Sequence, residues 1–136
     1  MLTIGELSRV TGVKVPTIRY YEQMGLLMAP GRSGGNQRRY EPSERERLSF
    51  IKHARDLGFD LKAVRTLLAL QEQPEASCEN ASRIAASQLE AVESRIVRLL
   101  MLRDELSRMV AECQQGAVAE CRVIEALAQP PPREIA

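Results

Sequence analysis

The sequence contains no tryptophan, one histidine, two phenylalanines and three tyrosines, so any hydrophobic core must consist mainly of aliphatic side chains. No run approaches the ~20 apolar residues that cross a bilayer, and the first ten residues lack the basic and apolar segments of an export signal. We therefore expect a cytoplasmic protein with no membrane partner. At 136 residues the chain has room for one compact domain and an extension.

Cysteine is also scarce, with three residues in the whole chain. In a reducing compartment, an odd number of cysteines argues against a disulfide framework and leaves metal binding, redox sensing or inert burial. No cysteine–histidine dyad, evident pair of cleft carboxylates or nucleotide-binding fingerprint is present, which argues against an enzyme. Three cysteines are also too few for an iron–sulfur cluster held by four cysteines of one subunit.

The formal net charge of +1 conceals an uneven distribution of charged residues. Residues 1–73 contain twelve Lys and Arg against eight Asp and Glu, a net charge of +4, whereas residues 74–136 contain seven against ten, a net charge of −3. The first half is therefore the candidate for a polyanionic partner. A polar stretch around Pro74 favours a domain boundary between residues 73 and 74.

Two short helices are predicted near the N-terminus. Thr3 and Glu6 have the spacing of a capping box, and Gly12 ends the helix that follows. A second helix is predicted from Val15, because Pro16 suits a first helical turn. Two helices joined by a glycine-containing turn predict a helix-turn-helix unit, although two simply packed helices would show the same pattern.

The next segment has the pattern of a β-hairpin, or wing. Residues 26–28 and 37–40 are its predicted strands, and residues 31–36 contain three glycines suited to a turn. A phosphate-binding loop is disfavoured, because no Lys-Ser/Thr pair follows the glycines and no long helix begins there.

Two further helices are predicted before the domain boundary. Ser43 and Glu46 are spaced as a capping box for a helix that ends near Gly58. Asp60 is the predicted N-cap of a helix that continues to about residue 70. The sole histidine, His53, falls in the first of these helices and is expected to be structural.

Cationic and hydroxyl side chains on the second helix and the wing can donate hydrogen bonds to DNA phosphates. A solvated basic face would have a similar composition. The predicted DNA contacts are Lys14, Thr17, Arg19, Tyr20, Tyr21, Arg32, Arg38, Arg39 and Tyr40.

Apolar residues after position 78 recur at alternating spacings of four and three over about five heptads, which is the pattern of a coiled-coil seam. A helix of that length extends roughly 50 Å, and nothing else in the chain is large enough to cover its stripe. We therefore expect a homodimer, which a purely structural coiled coil would also require. The seam, interrupted by Arg103, consists of Ala85, Leu89, Val92, Ile96, Leu99, Leu106 and Val110.

The three cysteines fall at the two ends of this predicted helix. Cys78 and Cys113 are five heptads apart, so roughly 50 Å of helix prevents them from sharing an ion within one chain. Antiparallel pairing of two helices would place Cys78 of one subunit beside Cys113 of the other, and the loop 114–120 could add Cys121. Thiolates favour soft or borderline cations, so we predict a metal site built from two chains. Three unrelated buried cysteines are the alternative.

Cys121 precedes residues 122–127, which have the pattern of a short amphipathic helix. The positive end of that helix, together with Arg122, is expected to lower the pKa of the Cys121 thiol. Glu120, a backbone oxygen or a water could supply a fourth ligand to zinc, whereas three sulfurs alone suit Hg(II) or Pb(II).

Three stretches of the sequence resemble the N-terminal winged-helix domain of the MerR family of bacterial transcription regulators. They are TIGELSRVTGVKVPTIRYYEQMGLL at residues 3–27, RRY at residues 38–40 and LSFIKHARDLGFDLKAVRTLL at residues 48–68. The resemblance implies a mainly α-helical fold, with a winged helix-turn-helix domain at residues 1–73. A long antiparallel dimerisation helix and a C-terminal metal-binding loop with a short helix follow at residues 74–136.

The resemblance also implies a function. Such a dimer sits on promoter DNA with an overlong spacer and distorts the DNA when an inducer binds, so that RNA polymerase can engage. The paired cysteines around a terminal loop are similar to those of the metal-sensing branch. There, a cysteine at the position of Cys78 accompanies divalent ions, whereas copper and silver sensors usually carry serine.

We therefore expect an activator of a heavy-metal resistance or efflux promoter that responds to a divalent soft ion, Zn, Cd, Pb or Hg. A regulator of the same family that responds to Cu(I), or to thiol-reactive electrophiles, is the alternative.

Overall fold

The computed structural model describes residues 1–28, 39–112 and 116–129. These residues are mainly α-helical, and apart from one antiparallel bridge between Leu2 and Tyr40 they contain no β-pairing. No helix among them is long and apolar enough to cross a membrane. The helices are α1 (Ile4–Thr11), α2 (Val15–Gln23), α3 (Pro42–Asp56), α4 (Leu61–Gln71), α5 (Glu79–Glu112) and α6 (Arg122–Ala128), with a 3₁₀ helix at Val118–Glu120.

The chain divides into two compact units, Met1–Gln88 and Leu89–Ala136. Every buried hydrophobic residue of the described chain belongs to the first unit, where side chains from α1 to α4 form one core. No buried polar or charged residue interrupts this core among the described residues. The core consists of Leu7, Val13, Ile18, Tyr21, Leu26, Leu27, Tyr40, Leu48, Ile51, Ala54, Val64 and Leu68. The predicted boundary between residues 73 and 74 stays a prediction.

The start of α1 confirms the predicted capping box. The Glu6 N–H donates to Thr3 Oγ1 at 3.2 Å, and the Thr3 N–H donates to Glu6 Oε1 at 3.0 Å. These two bonds satisfy amides that the first helical turn leaves without partners. The bond from the Thr3 N–H, followed by that from the Thr3 hydroxyl, lowers the pKa of Glu6. Gly12 ends the helix in the left-handed region, at a φ of 76°.

The helix α3 begins differently from the prediction. Glu41 is its N-cap and makes no side-chain capping bond, while Pro42 occupies the first turn, so the predicted capping box at Ser43 and Glu46 is wrong. Proline fixes a helical φ and lacks the N–H that a first turn would leave unpaired, so the helix starts without a cap. The predicted role of Asp60 is confirmed, because its carboxylate accepts from the Ala63 N–H at 2.8 Å.

The predicted strand at residues 26–28 is wrong, because these residues form the turn that follows α2. Leu26 and Leu27 are buried in the core, and the amides of both donate to the Tyr21 carbonyl, at 2.9 and 3.4 Å. Tyr40 instead pairs with Leu2 in the isolated bridge. The rest of the predicted wing, residues 29–38, lies outside the described residues.

Candidate nucleic-acid interface and metal centre

The surface of α2 carries three of the predicted DNA contacts. Lys14, at the N-cap of the helix, and Arg19 are exposed and make no ion pair with any described residue. Tyr20 is 45% exposed, so its hydroxyl can reach a partner outside the domain. The exposed surface of this helix therefore presents a phenol and two cations that lack an ion pair among the described residues, and all three are donors for phosphate oxygens.

Two other predicted contacts lie in the core. Tyr21 is 7% exposed, and its ring centroid lies 6.0 Å from that of Tyr20. Tyr40 is fully buried, and its hydroxyl donates to Glu22 of α2. A fully buried tyrosine cannot touch DNA in this conformation, so Tyr40 acts through packing.

Of the other four predicted DNA contacts, two are half-buried and two lie outside the described residues. Thr17 is half-buried on α2, where its N–H donates to the Lys14 carbonyl at 2.9 Å. Arg39 is half-buried close enough to Glu6 to contribute to lowering the pKa of that carboxyl. Arg32 and Arg38 lie outside the described residues.

The helix α5 runs without interruption for 34 residues and contains no buried residue. At 1.5 Å per residue it is about 50 Å long. Nine of its large apolar side chains are exposed by 43 to 66%, and five of them belong to the predicted seam, namely Leu89, Ile96, Leu99, Leu106 and Val110. Val92 of the seam is half-buried. Such a continuous apolar surface on a long helix requires a covering partner.

The two described cysteines occupy helix starts in different units of the chain. Cys78 is a free, exposed thiol, and its carbonyl accepts from the Ser82 N–H at 2.9 Å in the first turn of α5. Cys121 is the half-buried N-cap of α6 and is disulfide-bonded. Cys113 lies outside the described residues. Sulfur binds metal as a thiolate, so a metal-binding form of Cys121 must be reduced.

An ion-pair cluster flanks the cysteine loop. The Arg122 guanidinium donates from Nε to Glu112 Oε2 at 2.9 Å and from Nη1 to Glu125 Oε2 at 3.3 Å. The hydrogen bond with Glu112, followed by the charge of Glu125, raises the pKa of Arg122. Two carboxylates therefore already pair with this guanidinium. The predicted effect of Arg122 on the pKa of the Cys121 thiol stays a prediction.

No group of three or more metal-ligating side chains comes together within the described part of a single chain. Glu120, the suggested fourth ligand, is exposed in the 3₁₀ helix just before Cys121. His53 is exposed on α3. The predicted metal ligands stay a prediction, and cysteine sulfurs of this kind suit soft or borderline ions rather than Mg or Ca.

Sequence reasoning missed two arginines of the first unit. Arg47 of α3 donates from Nε to the Leu26 carbonyl at 2.5 Å, and Arg65 of α4 donates from Nη2 to the Met24 carbonyl at 2.6 Å. No sequence pattern distinguishes them from the solvated cations around them, because each pairs with a backbone atom of a distant segment.

Comparison with known proteins identifies family models that match most of the chain. The model described as MerR HTH family regulatory protein matches residues 2–71, and the model described as MerR, DNA binding, matches residues 45–109. These ranges include α1 to α4 and most of α5.

Individual relatives match nearly the whole chain. The HTH-type transcriptional regulator ZntR of Escherichia coli K12 is 38% identical, over 95% of this chain and 94% of its own length. The mercuric resistance operon regulatory protein of Pseudomonas fluorescens is 37% identical, over 93% of this chain and 87% of its own. The crystal structure of the regulator PbrR691 from Ralstonia metallidurans CH34 in complex with lead(II) superposes with a TM-score of 0.77 at 34% identity, covering 94% of this chain and 100% of that one.

Proposed function

Because this chain belongs to the MerR family of helix-turn-helix regulatory proteins, we propose that it is a metal-responsive transcriptional regulator that binds promoter DNA as a homodimer in the cytoplasm. The observation that supports this most directly is near-full-length similarity to a mercuric resistance regulator and to a regulator crystallised with lead(II). The cysteines at the starts of α5 and α6 lie within the regions covered by these similarities.

We propose that α2 is the recognition helix. Lys14, Arg19 and Tyr20 supply exposed donors to the DNA, and Thr17 contributes from the edge of the same surface. The wing residues Arg32, Arg38 and Arg39 extend the contact along the backbone. Tyr21 and Tyr40 support this surface by packing in the hydrophobic core.

The effector site we propose combines Cys78 of one subunit with Cys113 and Cys121 of the other. Three thiolates fit a divalent soft or borderline ion, Zn, Cd, Pb or Hg, and Glu120 is placed in sequence to add an oxygen ligand. When bound, the ion links the two chains through sulfur. The chain's own part is to hold Cys78 beside the first turn of α5 and Cys121 at the N-cap of α6.

The regulated step in this proposal is the distortion of promoter DNA, which gives RNA polymerase access when metal is bound. We propose activation of a heavy-metal resistance or efflux promoter and no enzymatic activity. The alternatives, response to Cu(I) or to thiol-reactive electrophiles, use the same cysteines and are outcomes of the experiments below.

Substitution of Arg19 tests the DNA contact. The probe is a duplex enriched from a random-sequence library by repeated selection on the wild-type protein. Arg19→Ala is expected to weaken binding and to reduce the salt slope by about one, because one phosphate contact is lost. Lys62→Ala, an exposed cation on α4, is the control with a smaller expected effect. Unchanged affinity and salt slope in Arg19→Ala would refute the assignment of α2.

A heterodimer tests the cross-subunit metal site. One subunit carries Cys78→Ser and the other carries Cys113→Ser with Cys121→Ser, so neither homodimer retains three sulfurs at one site. The mixed dimer restores a single complete site, and one tightly bound Cd(II) per heterodimer is expected under reducing conditions. Binding no tighter than that of the parent homodimers would refute the antiparallel arrangement.

The identity of the ion is tested on the reduced wild-type dimer. Zn, Cd, Pb, Hg and Cu(I) are compared at buffered free-ion concentrations, with metal content and free thiols counted after each. A divalent ion is expected to bind tightest. Exclusive binding of Cu(I), or a DNA-binding response to a thiol-reactive electrophile without any metal, would favour the corresponding alternative.

A further inference from the structure

The turn after α2, residues 24–28, is held from outside by two arginines of later helices. Arg65 of α4 donates to the Met24 carbonyl at 2.6 Å, and Arg47 of α3 donates to the Leu26 carbonyl at 2.5 Å. The last carbonyls of a helix have no partners within the helix, and cations are favoured at that end by the helix dipole. We call Arg47 and Arg65 the arginine clasp.

The backbone of this turn leaves room for the clasp. Gly25 has a φ of 77°, in the left-handed region that favours glycine, and a Cβ built there would lie 3.8 Å from Arg65 Nη1. The guanidinium therefore lies against the peptide backbone itself. A third bond from outside the turn comes from Glu44 of α3, whose Oε2 accepts from the Met28 N–H at 3.3 Å.

Arg47 has two partners within the protein, whereas the exposed Arg65 donates to the turn from one nitrogen. Arg47 uses Nη1 to pair with Glu72, the C-cap of α4, at 3.2 Å, in addition to its bond to the turn. Its side chain is only 29% exposed. Donors occupied in this way are poorly placed to reach a DNA phosphate, in contrast to Arg19, which has no partner among the described residues.

We propose that Arg47 and Arg65 are positioning residues for DNA recognition, which fix the orientation of α2 relative to α3 and α4 without touching DNA. The inference rests on the DNA-binding part of the proposed function. A residue that positions the recognition helix changes the affinity for a selected sequence, whereas a phosphate contact also changes the number of counterions released.

The test uses Arg47→Gln and Arg65→Gln in the full-length dimer, with Arg55→Gln as the matched control. Arg55 also donates to a backbone carbonyl, that of Phe59 at 2.8 Å, but it does so between α3 and α4, so the control loses the same charge and the same kind of bond. We expect each clasp variant to bind the selected duplex about tenfold more weakly than the control, because only the clasp variants release the turn after α2, at a cost of about one hydrogen bond from a charged group. The salt slopes of all three variants should be equal.

Two DNA-binding outcomes overturn the proposal. A salt slope lower by about one in a clasp variant than in Arg55→Gln would make that arginine a phosphate contact. An affinity equal to that of Arg55→Gln would remove its role in recognition. Urea unfolding of each variant ensures that affinities are compared only under conditions in which the protein is fully folded.

Amide hydrogen exchange in the protein without DNA tests the arginine clasp independently of the proposed DNA contacts. The Leu26 amide donates to the Tyr21 carbonyl within the turn, and its exchange should accelerate in both clasp variants but not in Arg55→Gln. Unchanged exchange overturns the clasp whatever the DNA result. If Arg19→Ala leaves DNA binding intact while exchange accelerates in the clasp variants, the assigned contacts on α2 fail and the clasp stands.

Discussion

The two compact units of the chain differ in whether their apolar side chains are buried or exposed. Twelve hydrophobic residues are buried in the described part of Met1–Gln88, whereas no described residue of Leu89–Ala136 is buried. The first unit therefore contains the core that stabilises it, and the second has helical structure without a buried core in the part that the structure describes. Apolar burial is the main stabilising term in folding, so the second unit depends on a surface from another chain.

The middle of α5 sharpens this contrast. Val97 and the run Leu99–Leu102 place exposed apolar side chains around the helix, not only along the predicted seam. A helix that is hydrophobic on most of its circumference is normally covered on more than one side. Around these residues, the proposed dimer interface is therefore wider than the predicted seam, in which one residue in every three or four is apolar.

The largest expected effect comes from a charge placed on the seam of α5. Leu99→Asp would bury a carboxylate in both copies of a dimer interface, so the dimer dissociation constant should rise roughly a thousandfold or more. Sedimentation velocity measures the change. Ser107→Asp, at an exposed position of α5 outside the seam, is the control and should leave the dimer intact. A Leu99→Asp protein that stays dimeric would contradict the inference that the second unit depends on a surface from another chain.

The next largest effect concerns the core of the first unit. Leu48 is fully buried on α3, and Leu48→Ala should lower the free energy of unfolding by about 3 kcal/mol through lost burial and a residual cavity. Leu57 is 67% exposed at the end of the same helix, so Leu57→Ala should change stability far less. Urea unfolding measures both variants. Equal losses would mean that burial in this unit does not determine its stability.

A smaller effect is expected at the base of the cysteine loop. Glu112→Gln removes the carboxylate that binds Arg122, so the start of α6 loses its ion pair with the end of α5. The affinity of the reduced protein for Cd(II) should fall roughly twofold to fivefold, as expected for an exposed ion pair. Thiolate-to-metal absorption measures it. Glu105→Gln, which breaks a pair with Arg108 within α5, is the control, and an equal fall there would show that the loop is not involved.

The smallest effect is the pH dependence contributed by Glu6. Its pKa is lowered from the usual 4.5, so the folded state favours the carboxylate. This contribution to stability is fully present above pH 4.5 and is lost as the pH falls through the lower pKa of the folded state. Glu6→Gln keeps a capping-box side chain without the charge. The difference in urea midpoint between wild type and Glu6→Gln should therefore shrink as the solution is acidified, whereas a constant difference would contradict the assignment.

Local signals in the sequence were enough to predict most of the helical fold. The capping residues Thr3 and Asp60 and the terminator Gly12 act within a few residues, and the structure confirms all three. The capping box at Ser43 failed because a neighbouring proline supplied a competing start signal. The strand at residues 26–28 failed because the core required both leucines, which no local pattern could reveal.

The candidate DNA surface was predicted in part. Lys14, Arg19 and Tyr20 are exposed, as contact residues must be, but Tyr21 shares the buried face of Ile18 three residues before it. That spacing could have placed Tyr21 in the core from sequence alone. The arginine clasp could not have been predicted, because its partners are carbonyls of a turn between 21 and 41 residues away in sequence.

Gly58, at the corner between α3 and α4, lies against Gln88 of α5. The Gln88 side chain donates to the Leu57 carbonyl at 3.0 Å, and a Cβ at Gly58 would lie 2.4 Å from the same Gln88 nitrogen. Gly58 also has a φ of 89°, which only glycine, and less readily asparagine, adopts at low cost. A larger residue at position 58 therefore displaces Gln88 and breaks its bond. Across related sequences, we expect a non-glycine residue at position 58 to occur together with a side chain shorter than glutamine at position 88.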